Sequence, residues 1–320
     1  FRLASLTKPL VSVIAMRLLE RGELDIATPV SRYFPDFARL RVLEAGPRQP
    51  AHGRLQRLDR GITVHDLLRH TSGFSYGRVG NGPVETAYRS AGILELDQSR
   101  DDFLEKASQL PLMFQPGTTF EYGISTDLLG MLLEVVADCD LATLVEREVT
   151  GPLGLESICF SPGEDDLTLV AQPQIDPETG EYPVLGSRNF HEARWFSAGH
   201  GLYGTIDDYF RFARTLLNGG TLDGFRLVSP AILRWMTSDH LPRDVKFGLC
   251  LENLGALAPT PEMGQGVVTG SGMGAVSALF LGLCRAGDHI VAGDQLYGRS
   301  LRLLTQDLPR LGIEATLADP

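Results

Sequence analysis

A serine and a lysine stand three positions apart near the head of the chain, in Ser5-Leu6-Thr7-Lys8. On a helix that spacing places both side chains on one face, roughly 5–6 Å apart at Cβ, so the amine can reach the hydroxyl proton. A serine hydroxyl is a weak nucleophile until a neighbouring base accepts its proton, and a lysine serves as that base when its charged form is disfavoured by burial or nearby positive charge. Ser5 and Lys8 are therefore a candidate nucleophile and base for acyl transfer. The same four-residue pattern arises by chance roughly once in a chain of this size. A serine ahead of a helix with a proline in its first turn also reads as an ordinary cap.

A helix from Pro9 to about Gly22 must position the pair. Leu10, Val11, Val13, Ile14, Met16, Leu18 and Leu19 make it apolar around much of its circumference, which predicts a buried core helix. Ser5 then falls at its N-terminal end, where unpaired amides and the positive end of the helix dipole favour an alkoxide or acyl-oxyanion. Residues 101–151 read as helical, with one buried helix at Asp127–Val136 and another from Leu144 to Val149, ended by Gly151-Pro152. Tyr209 to Leu217 reads as an amphipathic helix closed by Asn218-Gly219-Gly220. Residues 162–183 form a polar, Pro/Gly-rich excursion, and Trp195 and Phe196 read as packing residues at or beneath a cleft.

Phe1 to Pro9 with Leu24-Asp25-Ile26-Ala27-Thr28-Pro29-Val30, then Asp66-Leu67-Leu68-Arg69-His70-Thr71-Ser72-Gly73, then Gln115 to Tyr122, then Ser197 to Thr205 follow one another in order. This series resembles the serine β-lactamase, penicillin-binding protein and family VIII esterase group. The resemblance implies an acyl-enzyme on Ser5, with Lys8 and Tyr122 sharing general-base and proton-shuttle work. A phenol is a weak base in water, so Tyr122 would need the charge of Lys8 close by. Read from the residues alone, Tyr122 is a packed aromatic after a Pro-Gly turn. His70 tempts a triad reading, but the resemblance implies a structural turn there, with Asp66 and Arg69 as scaffold.

One departure narrows the substrate. Where class C β-lactamases carry Tyr-x-Asn, this chain has Tyr122-Gly123-Ile124, a branched hydrocarbon in place of the amide that would hold an acylamino group. An ester of a small or medium acyl chain is the expected substrate, and β-lactam hydrolysis is disfavoured. The resemblance also implies strands before the Ser5 helix and a third motif, Lys-Thr-Gly or a His/Trp-Gly-Gly variant, near the C-terminus. After Lys246-Phe247-Gly248-Leu249 that motif does not occur, so the hydrolase portion is expected to be truncated at both ends.

From about Gly266 the residues change character. Val267 to Ala278, Ala286 to Ala292, Leu296-Tyr297-Gly298 and Leu308 to Glu314 resemble the Cys/Met-metabolism family of pyridoxal-phosphate enzymes. Ser271-Gly272-Met273-Gly274 precedes an apolar helix from Ala275 to about Cys284, a place where bare amides hold a phosphate. A short buried strand at His289–Ala292 and a helix from Leu301 to Leu308 give the α/β alternation of a parallel sheet. The resemblance implies that Tyr297 stacks on the cofactor ring. Yet the lysines are Lys8, Lys106 and Lys246 alone, and the Schiff base of such an enzyme needs one. This segment cannot run that chemistry alone, and no cofactor is expected.

The 320 residues, 43% hydrophobic and 22% charged, suffice for a large core. A net charge of −11 argues against a nucleic-acid or anionic-membrane surface. The apolar runs are too short to span a membrane, no signal peptide is visible, and the four widely spaced cysteines read as thiols of a reducing, cytoplasmic compartment. The seven histidines show no metal-binding spacing.

The expected fold class is therefore α/β. Residues 1–258 form a β-lactamase/transpeptidase-like domain, helical with an incomplete antiparallel sheet. A junction follows at 259–265, and then a βα fragment of a pyridoxal-phosphate fold-type I large domain at 266–320. The expected function is a serine hydrolase acting on small-molecule esters or amides. A sulfhydrylase or cystathionine-synthase-type enzyme and a non-catalytic binding protein of the transpeptidase fold are the alternatives. Incubation with pyridoxal phosphate followed by desalting is expected to leave no Schiff-base absorbance band; a retained band would restore the first alternative.

Overall fold

The computed structural model describes residues 1–46, 49–78, 81–172, 190–242, 287, 289–293 and 303–318. The Ser271–Gly274 turn, the helix expected at Ala275–Cys284, Tyr297 and Lys246 lie outside the described residues. Two compact units are formed, Phe1–Lys246 and Phe247–Pro320.

The first unit is an assembly of helices with small antiparallel hairpins. Its centre is the helix Thr7–Glu20, in which Leu10, Val11, Val13, Ile14, Ala15 and Leu18 are fully buried. Each such side chain taken out of water contributes about 1.5–3 kcal/mol, so this helix is held by the core on most of its sides. It packs on the helices Ser125–Ala137 and Leu141–Val145. The chain ahead of it pairs with the segment after Ala198: Leu3 N–H donates to the Leu202 carbonyl at 2.8 Å, and Gly204 N–H donates to the Phe1 carbonyl at 3.0 Å.

A capping box starts the short helix Val64–Leu68. The Thr63 side chain accepts from Asp66 N–H, and the Asp66 carboxylate accepts from Thr63 N–H at 2.9 Å. The hairpin Arg41–Gly46 with Gln49–Arg57 and the minimal hairpin Thr221–Leu222 with Phe225–Arg226 are both antiparallel. The helix Ile206–Leu217 is capped by Thr205 and stops at Asn218, with Gly219 and Gly220 both left-handed. Among the described residues no helix is long and apolar enough to cross a membrane.

Two boundaries differ from expectation. The helix expected at Leu144–Val149 begins at Leu141, because Asp140 Oδ1 accepts from Thr143 N–H at 2.7 Å and caps it there. Gly151-Pro152 does not end it. The backbone widens into a π turn over Glu146–Thr150, the missing proline N–H falls at the start of the next turn, and the run stops at left-handed Gly154. In the second unit, His289–Gly293 pairs in parallel with Glu314–Ala318. Of the strand expected to be buried there, the described side chains are His289, exposed, and Ile290, half-buried. The helix expected from Leu301 appears as a turn Leu303–Asp307 that tightens over Leu308–Leu311.

Glu148 ties the far end of the central helix to the Leu141–Leu153 run. Its carboxylate accepts from Arg17 Nε at 2.9 Å and from Arg21 Nη1 at 2.7 Å. Burial alone would raise its pKa, but the hydrogen bonds of Arg21 and Arg17 outweigh that and lower it to about 2. A carboxylate with a depressed folded pKa contributes stability above its ordinary pKa, and that contribution fades as pH falls toward 2. Glu148→Gln is expected to cost about 1–3 kcal/mol at pH 7 in a urea titration and to flatten the loss of stability between about pH 4.5 and 2.

Candidate active site

Ser5 does not cap the central helix. It lies in a single 3₁₀ turn, Ala4–Leu6, and the helix proper begins at Thr7 with no side-chain cap at Leu6. Its Oγ is exposed to solvent and faces two groups instead. Lys8 Nζ stands 3.2 Å away, and the Tyr122 hydroxyl donates to Ser5 Oγ at 2.7 Å. The structure therefore brings together all three residues singled out from the sequence.

Lys8 is only 9% exposed, and a buried ammonium needs partners. Its Nζ donates to the Gly199 carbonyl at 2.8 Å and lies 4.8 Å from the Tyr122 ring centroid and 5.7 Å from that of Tyr76. Gly199 is fixed in turn by Asp127. The buried Asp127 Oδ1 accepts from Gly199 N–H at 2.9 Å and from the Ser197 hydroxyl at 2.6 Å. Burial raises the Asp127 pKa, against the charge of Lys8 and the hydrogen bonds of Ser197 and Gly199. Asp127 stands on the helix Ser125–Ala137, and Gly130 of that helix touches Ala198, where a Cβ would collide.

The wall behind Tyr122 is the turn that follows Val64–Leu68. His70 has φ +56°, its ring lies 5.0 Å from the Tyr122 ring, and its Nδ1 accepts from Gly123 N–H at 3.5 Å. Burial, with the charge of Lys8 adding to it, lowers its pKa to about 3. His70 is a neutral, buried support whose hydrogen bonds run to Gly123 and Thr126 and not to Ser5. Asp66 anchors the same turn, accepting from Arg60, Arg69 and Thr71. Burial would raise its pKa, but Arg60, the Thr63 amide and Arg69 hold it well below the usual carboxylate range. Gly123 must be a glycine, since a Cβ there would strike the Phe74 carbonyl.

Ile124, where an amide was expected to be replaced within the cleft, is wholly buried at the start of the Ser125–Ala137 helix. It belongs to the core. Trp195 packs on Phe103 at 4.7 Å, and Phe196 on Phe160 at 4.9 Å. Sequence reasoning missed Asp127 and Tyr76. Asp127 follows Tyr122 by five residues and reads as an ordinary first-turn acid, while Tyr76 reads as one more core aromatic.

The chain matches the beta-lactamase family over residues 1–280. It belongs to that family. Over 250 residues it is 35% identical to an uncharacterized protein of Mycobacterium tuberculosis, covering 77% of this chain and 61% of that one. Over 229 residues it is 33% identical to the esterase EstB of Burkholderia gladioli, covering 66% of this chain and 55% of that one. The structure of simvastatin synthase (LovD) from Aspergillus terreus superposes with a TM-score of 0.63 at 26% identity, over 76% of this chain and 59% of that one. The chain thus spans little more than half the length of these relatives. Residues 252–320 also match the Cys/Met metabolism PLP-dependent enzyme family. No lysine follows Lys246, so the residues present do not fit a Schiff-base cofactor.

Removing the Asp127 carboxylate strands two buried donors, Ser197 Oγ–H and Gly199 N–H. Asp127→Ala is expected to cost about 2–4 kcal/mol in chemical denaturation, and Asp127→Asn markedly less, since an amide oxygen can accept both bonds.

Proposed function

We propose that this beta-lactamase family chain is a serine hydrolase that cleaves carboxylic esters through an acyl-enzyme on Ser5. The observation that carries the reading is the Ser5 hydroxyl within hydrogen-bond reach of both Tyr122 Oη, at 2.7 Å, and Lys8 Nζ, at 3.2 Å. An esterase and a synthase among its relatives support esters over β-lactams.

As Ser5 Oγ attacks the ester carbonyl, its proton passes into the Lys8/Tyr122 pair. Lys8 Nζ lies 3.2 Å from Ser5 Oγ and 4.8 Å from the Tyr122 ring centroid, so the two side chains are placed to take up that proton and return it. The oxyanion forms next to the Ser5 amide, which donates to no acceptor among the described residues. Collapse of the tetrahedral intermediate breaks the bond to the alkoxy oxygen, which takes the proton held by the pair and leaves as the alcohol. Water then attacks the acyl-Ser5 carbonyl, giving up a proton to the same pair. That proton returns to Ser5 Oγ as the carboxylic acid departs.

A small-molecule ester is the substrate class that the esterase among its relatives supports. The overlap of the two family matches over residues 252–280 supports a junction there between segments of different descent.

A fluorophosphonate probe is expected to label the wild-type chain at Ser5, detected by mass spectrometry of the labelled peptide, and not Ser5→Ala. With p-nitrophenyl esters of short acyl chains, Tyr122→Phe is expected to lower kcat by about 10²–10⁴-fold with little change in KM. Well-folded protein that takes no label would leave a non-catalytic binding protein as the better account.

A further inference from the structure

Away from Ser5, a cleft of about 510 Å³ opens beside the hairpin and carries four arginines, Arg39, Arg41, Arg57 and Arg60, with no acidic residue in its lining. In a chain of net charge −11 such a wall is anomalous. Its floor is apolar, with Phe37 and Ile62 nearly fully buried.

The charges in this cleft are not balanced. Arg41 and Arg57 are direct cross-strand partners, and neither has an ion-pair partner among the described residues. Like charges directly opposite on paired strands destabilise the pair, so the arrangement costs the empty protein stability. Arg60 binds Asp66, but Arg69 shares that one carboxylate, leaving a positive charge uncompensated between the two. Only Arg39 has a partner of its own, Asp36, at 3.7 Å in an exposed pair. The backbone that carries Arg57 is held by a carboxamide clamp: Gln115 Nε2 donates to the Arg57 carbonyl at 3.0 Å, and Gln115 Oε1 accepts from Asp59 N–H at 2.9 Å.

We propose that this cleft is a second ligand site, taking a small phosphomonoester whose phosphate sits between Arg41 and Arg57 and whose apolar body lies against Phe37 and Ile62. Guanidinium groups match phosphate oxygens in pairs of parallel hydrogen bonds. Two uncompensated guanidinium groups match the double charge of a phosphomonoester, where a carboxylate would neutralise only one. The apolar floor selects an organic phosphate over the inorganic ion.

Calorimetric titration of the full chain with phenyl phosphate tests this. Wild type is expected to bind it with saturation, more tightly than inorganic phosphate, and Arg41→Gln/Arg57→Gln at least about tenfold more weakly. Both side chains are exposed, so the double variant should keep its circular dichroism spectrum, its fluorophosphonate labelling and, in the absence of ligand, its melting temperature or a higher one. Ser5→Ala should bind like wild type, which separates this site from the nucleophile. Equal binding by wild type and the double variant, no binding by wild type, or binding to phosphatidic-acid vesicles without binding of phenyl phosphate would each overturn the proposal.

Discussion

The arrangement around Ser5 rests on where a buried lysine puts its charge. Lys8 is nearly sealed from water, and no carboxylate touches its Nζ in the described structure. A backbone carbonyl and two aromatic faces satisfy it instead, all weaker partners than a direct ion pair. That choice keeps the amine near the Ser5 hydroxyl. A carboxylate in direct contact would draw Nζ into an ion pair and hold its proton there, whereas the Gly199 carbonyl accepts one hydrogen bond and leaves the rest of the ammonium facing Ser5 and Tyr122. Asp127 acts one step removed, fixing the carbonyl through the peptide N–H on the other side of Gly199.

The same logic explains why His70 is neutral. A second cation beside Lys8 would repel it, and burial together with Lys8 lowers the His70 pKa to about 3. With Nδ1 accepting from Gly123 N–H, the ring proton belongs on Nε2, toward Thr126. The ring then serves as a polar wedge beneath Tyr122, holding the phenol at the mouth of the site. Asp66, with two arginines on it, keeps the turn that carries His70 from relaxing. Two arms converge on Ser5, one through Gly199 and Lys8, the other through His70 and Tyr122.

What was legible in the sequence follows the range of the interactions. Ser5 and Lys8 are one turn apart, so their meeting is a local consequence of helix geometry, and the apolar periodicity of the helix that carries them needs only neighbours along the chain. Tyr122 is legible only through an ordered series of short motifs, not through local spacing. Asp127 and Tyr76 were not, because their roles depend on contacts across 72 residues for Asp127 to Gly199 and on a ring cluster assembled from three segments. Ile124 misled for a related reason. A residue two beyond Tyr122 can face either the cleft or the core, and the start of the Ser125–Ala137 helix turns it inward. The π turn at Glu146–Thr150 left no mark in the pattern, so Gly151-Pro152 read as a stop.

Ala4 shows how the local and long-range parts join. Its φ of +48° is left-handed, a conformation that costs a non-glycine residue about 1 kcal/mol or more. Its neighbours on either side are held: Leu3 N–H donates to Leu202, and Leu6 N–H donates back to Leu3. Between those fixed points the chain must reverse within one residue to pass from pairing with Leu202 into the helix, and the reversal turns Ser5 out of the capping position and into the cleft. With relaxed backbone at Ala4, Ser5 Oγ would be free to bond the unpaired amides of the helix start, as the sequence alone allows. The left-handed turn at Ala4 therefore separates a capping position for Ser5 from the place it takes beside Lys8 and Tyr122, and the pairing of residues 1–3 with 202–204 holds the chain on either side of that turn.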